Sequence, residues 1–179
     1  MPPGRILLTQ TQIRARVRQL GQSITRHYRK DLPAGGRPLF LGVMNGALFF
    51  LADLLRAVEL DDTEISCVRL ASYAGTASTG LIHGLDALGD SFQGRHVLIV
   101  DDILDTGRTL SALVARLKKL GADDVKICVL LAKRRPREIP VRADWTGFKI
   151  ADQFVVGYGL DCNGRYRGLK QVRVLENAV

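Results

Sequence analysis

The stretch His96–Leu110, HVLIVDDILDTGRTL, decides how the rest of the chain is read. Val97 to Val100 are four consecutive apolar residues, which predicts a strand buried on both faces of a parallel sheet. Two carboxylates, Asp101 and Asp102, follow at its carboxyl end, and Asp105-Thr106-Gly107-Arg108-Thr109 makes a polar turn. TLSALVARLKKL then resumes with helical spacing. A strand, an acidic pair, a small-residue turn and a helix start form an anion site, because turn amides and the helix dipole favour negative charge there. Neither G-x-x-x-x-G-K-[ST] nor G-x-G-x-x-G is present, so a nucleotide P-loop and a dinucleotide fold are both excluded. Two acids ahead of a phosphate turn suit a ligand whose hydroxyls or metal lie close to its phosphate, such as a ribose phosphate.

The same architecture recurs upstream. Thr9 and Gln12 form a capping box, and Ile13, Val17, Leu20 and Ile24 recur at helical spacing to about Lys30. Pro33 and the glycines after it break that helix. Pro38–Val43 reads as a strand, Met44-Asn45-Gly46 as a tight turn, and ALFFLADLLRAV (47–58) as a helix. Thr63–Leu70 reads as a strand. SYAGTASTGLIHG (72–84) has no period and exceeds the usual connection length, which marks a lid. Val125–Leu131 is another buried strand, closing at Lys133-Arg134-Arg135-Pro136. Trp145–Ile150, Phe154–Tyr158 and Val172–Leu175 read as short strands. Strands alternating with helices predict an α/β fold with a Rossmann-like parallel sheet flanked by helices.

The chain has 179 residues and a formal net charge of +8, from 26 basic and 18 acidic residues. Its length fits a single domain. No apolar run approaches the ~20 residues of a membrane span, and MPPGRILLTQTQIRAR lacks the apolar region of a signal peptide, so a cytoplasmic location is expected. The basic residues are scattered apart from the cluster at Lys133–Arg137, and charge alone leaves nucleic acid, an anionic surface and a polyanionic small substrate all open. Cys67 and Cys128 lie in apolar strand patterns and are expected as reduced core thiols, and Cys162 has no assigned role.

By the rule that ligands sit beyond the carboxyl ends of parallel strands, Met44–Gly46, Ser72-Tyr73, Asp101–Thr109, Lys133 and the segment after Val156 converge on one edge. Four segments carry a resemblance at this point: LASYAGTASTG, VLIVDDILDTGRTL, LLAKRRPR and DQFVVGYGLDCNGRYRGL. In this order and spacing the chain resembles the hypoxanthine-guanine phosphoribosyltransferases, from about Phe40 to Leu175. The resemblance implies one domain over 1–179. Its core would span about 36–160, with a small hood from about 1–35 and 145–179. It implies Mg2+, the substrates phosphoribosyl pyrophosphate and a 6-oxopurine, and a homodimer or homotetramer with neither nucleic acid nor membrane as partner.

The roles implied are specific. Asp105 would be the general base near purine N7, although a helix-cap role is also open to it. Asp101 and Asp102 would hold the ribose hydroxyls, directly or through magnesium, with Asp161 as a further metal ligand. Ile103, Leu104, Thr106, Gly107, Arg108 and Thr109 would form the ribose and phosphate cradle. Lys133 would donate to the purine 6-oxo group, or else be a surface lysine. Gln153, Phe154 and Val155 would frame the base, although spacing alone makes Phe154 a core residue. Met44, Asn45, Gly46 and Arg167 would meet pyrophosphate, and Ser72 and Tyr73 would close over the site. Three positions depart from the family's usual residues: Met44-Asn45-Gly46 lacks a lysine, Asp101 is often a glutamate, and Gln153 is often a lysine. A nucleic-acid-binding regulator on the same fold, or the same reaction with xanthine preferred, are the alternatives. Nucleotide formation separates the regulator from the enzyme.

Overall fold

A computed structural model describes residues 4–33, 36–72, 82–89 and 92–176. Five parallel strands form the central sheet in the order β3-β2-β6-β7-β8. They are β2 (Pro38–Met44), β3 (Glu64–Arg69), β6 (His96–Leu104), β7 (Asp124–Lys133) and β8 (Trp145–Ile150). Around them lie the helices α1 (Gln10–Asp31), α2 (Leu48–Ala57) and α3 (Arg108–Lys119). The expected parallel α/β core is therefore present.

Alternation along β6 explains its unbroken apolar run. Leu98 and Val100 pack on one face with Phe40, Leu130 and the inward stripes of α1 and α2, including Ile13, Ile24, Phe50 and Leu54. Val97 and Ile99 pack on the other with Leu41, Val129 and the α3 residues Leu110, Leu113 and Leu117. A strand between two helical layers needs apolar side chains at both parities. The capping box of α1 forms as expected, Thr9 accepting from the Gln12 N–H and the Gln12 side chain accepting from the Thr9 N–H at 2.9 Å. Arg16 fixes α1 to the sheet, its guanidinium donating to the Thr146 and Gly147 carbonyls at 2.8 Å each.

The terminal segments build a second, antiparallel sheet, β1 (Ile6–Leu8), β10 (Val172–Val174) and β9 (Val155–Val156), in that order. Phe154 and Gly157–Tyr158 lie outside β9, which is shorter than the expected strand. Two residue pairs, β4 (Ala71–Ser72) and β5 (Ile82–His83), close antiparallel on each other at the two ends of the expected lid. Tyr73 lies outside the described residues. Of Ser72, only its place in β4 is described.

One expectation is corrected. Cys128 is buried, but Cys67 is exposed. Cys67 pairs with Gly42 in the register of β3 on β2, and β3 is the sheet's edge. Ile65, one pleat earlier, is 57% exposed, so the helices that cover β2 do not reach over its outer neighbour. Apolar patterning does not report whether a face has a cover.

Candidate functional site

The chain enters the sheet at β2, moves out to β3, and returns past β2 to β6, so β2 and β6 flank the point where strand order reverses. Loops leaving such neighbours run apart and open a crevice beyond the carboxyl ends of the strands. A cavity of about 470 Å3 occupies that place. Its walls are the turn Met44–Gly46 after β2, the run from Asp101 to Gly107, Thr109, and Asp161 with Arg167 from the segment after β9. These residues were expected together and are together.

The two loops fit tightly. The Met44–Asn45 peptide is cis. A Cβ on Gly46 would stand 1.9 Å from Asp102 Oδ2, and one on Gly159 would stand 2.0 Å from the Gly46 carbonyl oxygen. Both positions need glycine for the approach, and Gly159 also has φ +102°. On the other side, Gly107 caps α3 at φ +85°, with the Ile139 carbonyl 2.4 Å from where its Cβ would be. It brings no side chain to the cap, so the first-turn amides of α3 face the cavity as anion donors. Thr106 Oγ1 accepts from the Arg108 N–H at 3.4 Å. The Arg108 side chain pairs instead with Glu138, and it is absent from the cavity wall. Ile103 and Leu104 line the cavity, and Leu104 is fully buried.

Asp101 is buried, and its Oδ1 accepts from the Asp102 N–H at 2.9 Å. Burial first, and the Asp102 charge second, hold its carboxyl well above the usual carboxylate range. Burial also raises Asp102, against opposing contributions that include the Arg167 charge. A buried and a half-buried carboxyl side by side call for a cation or for hydroxyl donors. Asp161 is already engaged, Oδ1 with Arg167 Nη2 at 2.8 Å and Oδ2 with the Gly164 N–H at 2.7 Å. Arg167 also donates to the Gly159 carbonyl at 2.6 Å. Among the described residues no three histidine, cysteine or acidic side chains converge as a metal cage. The donor set therefore fits a hard cation such as magnesium only if one or two carboxylates are joined by ligand oxygens and water, the usual manner for that ion.

Beside the cavity, at the carboxyl ends of β6, β7 and β8, stands a second group. Lys133 Nζ lies 2.8 Å from Asp105 Oδ2 and 3.1 Å from Asp152 Oδ1. Burial works against the Lys133 ammonium, but its bonds to the two carboxylates outweigh that and raise its pKa. Arg135 Nη1 lies 3.3 Å from Asp105 Oδ1 and 3.4 Å from Asp152 Oδ2. Neither Arg135 nor Asp152 was expected as a site residue. The signal available was a second cation two residues after Lys133 and an acid beside Gln153. Phe154 is 44% exposed, so it is not the core residue its spacing suggests. Val155 is buried in β9, and Gln153 Oε1 accepts from Arg5 Nη2 at 3.4 Å. The geometry thus offers a carboxylate and an ammonium beside an anion cradle.

The Phosphoribosyl transferase domain family matches residues 7–163. The hypoxanthine-guanine phosphoribosyltransferase of Bacillus subtilis is 38% identical over 98% of this chain and 94% of its own length. The bifunctional protein TilS/HprT of Listeria monocytogenes is 38% identical over 96% of this chain, but the chain spans about a quarter (26%) of that relative. Among solved structures, the hypoxanthine phosphoribosyltransferase of Trypanosoma cruzi in complex with the product IMP superposes with a TM-score of 0.86. It is 34% identical over 99% of this chain and 96% of that one.

Proposed function

The chain belongs to the phosphoribosyltransferase family, and from that premise we propose that it is a purine-salvage enzyme acting on a 6-oxopurine. It transfers the phosphoribosyl group of phosphoribosyl pyrophosphate to hypoxanthine or guanine, giving IMP or GMP and pyrophosphate. The observation that carries the reading is the Lys133–Asp105 pair at the mouth of the cradle that Asp101 to Thr109 build.

The chemistry follows from what each group can donate or accept. Purine N9 forms a bond to the anomeric carbon as the bond from that carbon to pyrophosphate breaks. Asp105 accepts the proton that leaves N7, which keeps charge from building on the ring. An ammonium has three donors and no acceptor. In the free protein two of the Lys133 donors reach Asp105 and Asp152, and the ammonium turns from Asp105 to serve the 6-oxo oxygen. It has nothing to accept from adenine's exocyclic amine, so adenine leaves buried donors facing each other. Phe154 gives the base a face to stack on, and the backbone of Val155 lines its edge.

The amides of the α3 first turn, with Thr106 and Thr109, hold the 5-phosphate, and Asp101 and Asp102 hold the ribose hydroxyls. The Met44–Gly46 turn and Arg167 receive pyrophosphate, the turn through backbone groups where it lacks a lysine. Asp101 and Asp102, with Asp161 once Arg167 turns to the phosphates, would hold magnesium, which when bound neutralises charge on the departing pyrophosphate.

No helix among the described residues is long and apolar enough to cross a membrane. The reading places the protein in the cytoplasm with small-molecule substrates only. Leu48 and Phe49 of α2, 51% and 41% exposed, support assembly into a homodimer or homotetramer. The test is an initial-rate assay with magnesium, phosphoribosyl pyrophosphate and each of hypoxanthine, guanine, xanthine and adenine. Nucleotide from a 6-oxopurine and none from adenine is expected. No nucleotide from any base refutes the reading.

A further inference from the structure

Asp105, Lys133, Asp152 and Arg135 form a closed ring of alternating charge. Each carboxylate gives one oxygen to Lys133 and the other to Arg135: Asp105 Oδ2 and Oδ1, Asp152 Oδ1 and Oδ2. Three loops meet in it, those leaving β6, β7 and β8. The Arg134 N–H donates to the Ile150 carbonyl at 2.8 Å and so prolongs the pairing of β7 with β8. Lys133 ends β7 and Arg135 lies in the bend that follows, and both side chains reach the same pair of acids.

The ring matters because Lys133 is asked to do two things. In the ring it holds Asp105 Oδ2, the oxygen nearest to it. When a 6-oxopurine arrives, its ammonium must aim at the carbonyl, on a flexible four-carbon stem, and its grip on Asp105 loosens. A carboxylate released at that moment would lose the orientation that proton transfer needs. Arg135 stays on the opposite oxygen, and its planar guanidinium is itself tied to Asp152. We propose that Arg135, anchored by Asp152, is the positioning residue that keeps Asp105 aimed at the base while Lys133 turns to the purine. The proposal rests on the roles given above to Asp105 and Lys133. Arg135 acts through Asp105 and touches no reacting atom.

The test is a double-mutant cycle of Arg135→Ala and Asp105→Asn, with Arg135→Lys beside it. Each is followed by steady-state and single-turnover formation of nucleotide from hypoxanthine and phosphoribosyl pyrophosphate. Arg135 is a third exposed, so its truncation leaves the fold in place, which thermal unfolding of the variant checks. We expect Arg135→Ala to lower kcat roughly tenfold or more, with KM for phosphoribosyl pyrophosphate within about twofold of the parent. Arg135→Lys should recover part of the loss. In the Asp105→Asn background the same truncation should change the rate by less than about twofold, because nothing remains to position. Three results overturn the proposal: a parental kcat in Arg135→Ala, an equal loss in both backgrounds, or a defect confined to KM for hypoxanthine. An unsubstituted protein that forms no nucleotide sinks this proposal together with the function it rests on. Nucleotide from the parent and an unaltered Arg135→Ala sinks this one alone.

Discussion

Gly46 lies so close to Asp102 that a methyl group on it would stand 1.9 Å from Oδ2 of that carboxylate. The turn after β2 and the acid near the carboxyl end of β6 therefore fit only as a pair, and the contact lies on the wall of the cavity. Gly46→Ala should push the Asp102 carboxylate aside without touching the core. We expect KM for phosphoribosyl pyrophosphate to rise roughly tenfold, as binding groups lose their register. Steady-state kinetics check this, and an unchanged KM would show that the turn has slack.

Asp101 gives a pH prediction. Its carboxyl is raised by burial and then by Asp102, so the folded chain holds this proton more tightly than the unfolded one. Its contribution to stability is full below the ordinary aspartate value of about 3.9 and is lost as pH rises through the raised value. Asp101→Asn removes the charge and keeps an acceptor for the Asp102 N–H. Its Tm at pH 8 should exceed the parent's by roughly 2–4 °C, with the gap closing toward acid pH, while activity falls. Thermal scans across pH decide this, and a variant less stable than the parent at pH 8 counts against it.

Lys133→Ala should remove discrimination before it removes turnover. The preference for hypoxanthine over adenine in kcat/KM should drop at least about a hundredfold, since the donor that reads the 6-oxo group is gone. Competition between the two bases measures it. An unchanged preference would mean that another group reads the ring.

Phe154→Ala separates stacking from packing. A buried phenylalanine cut to alanine costs about 3–5 kcal/mol. Phe154 is 44% exposed, so Tm should move by only about a degree or two. Loss of a stacked base, at about 1–3 kcal/mol, should instead raise KM for hypoxanthine roughly tenfold. A large fall in Tm with parental kinetics would return Phe154 to the core.

The sequence makes the central layer legible because β6, its turn and α3 are contiguous, and their apolar periods state which faces are covered. Thr9 and Gln12 are legible for the same reason: a capping box is local. Cys67 misleads because its strand pattern matches that of Cys128, and only the order of strands puts one at an edge. Phe154 misleads because it precedes a genuine buried pair, Val155 and Val156, in an apolar run. The ring of Asp105, Lys133, Arg135 and Asp152 is invisible in one dimension, because its members come from three loops that only the sheet brings side by side. Arg108 lies within the phosphate motif, yet its side chain follows Glu138 out of the site. Motif membership fixes the backbone of that turn more firmly than the direction of its longest side chain.

Transfer to the base depends most on Asp105 taking the purine's proton. The direct measurement is turnover of Asp105→Asn with saturating hypoxanthine, set beside its binding of phosphoribosyl pyrophosphate by calorimetry. The amide keeps the shape and loses the basicity, so turnover should fall roughly a hundredfold or more with binding nearly unchanged. Parental turnover in that variant would contradict the account.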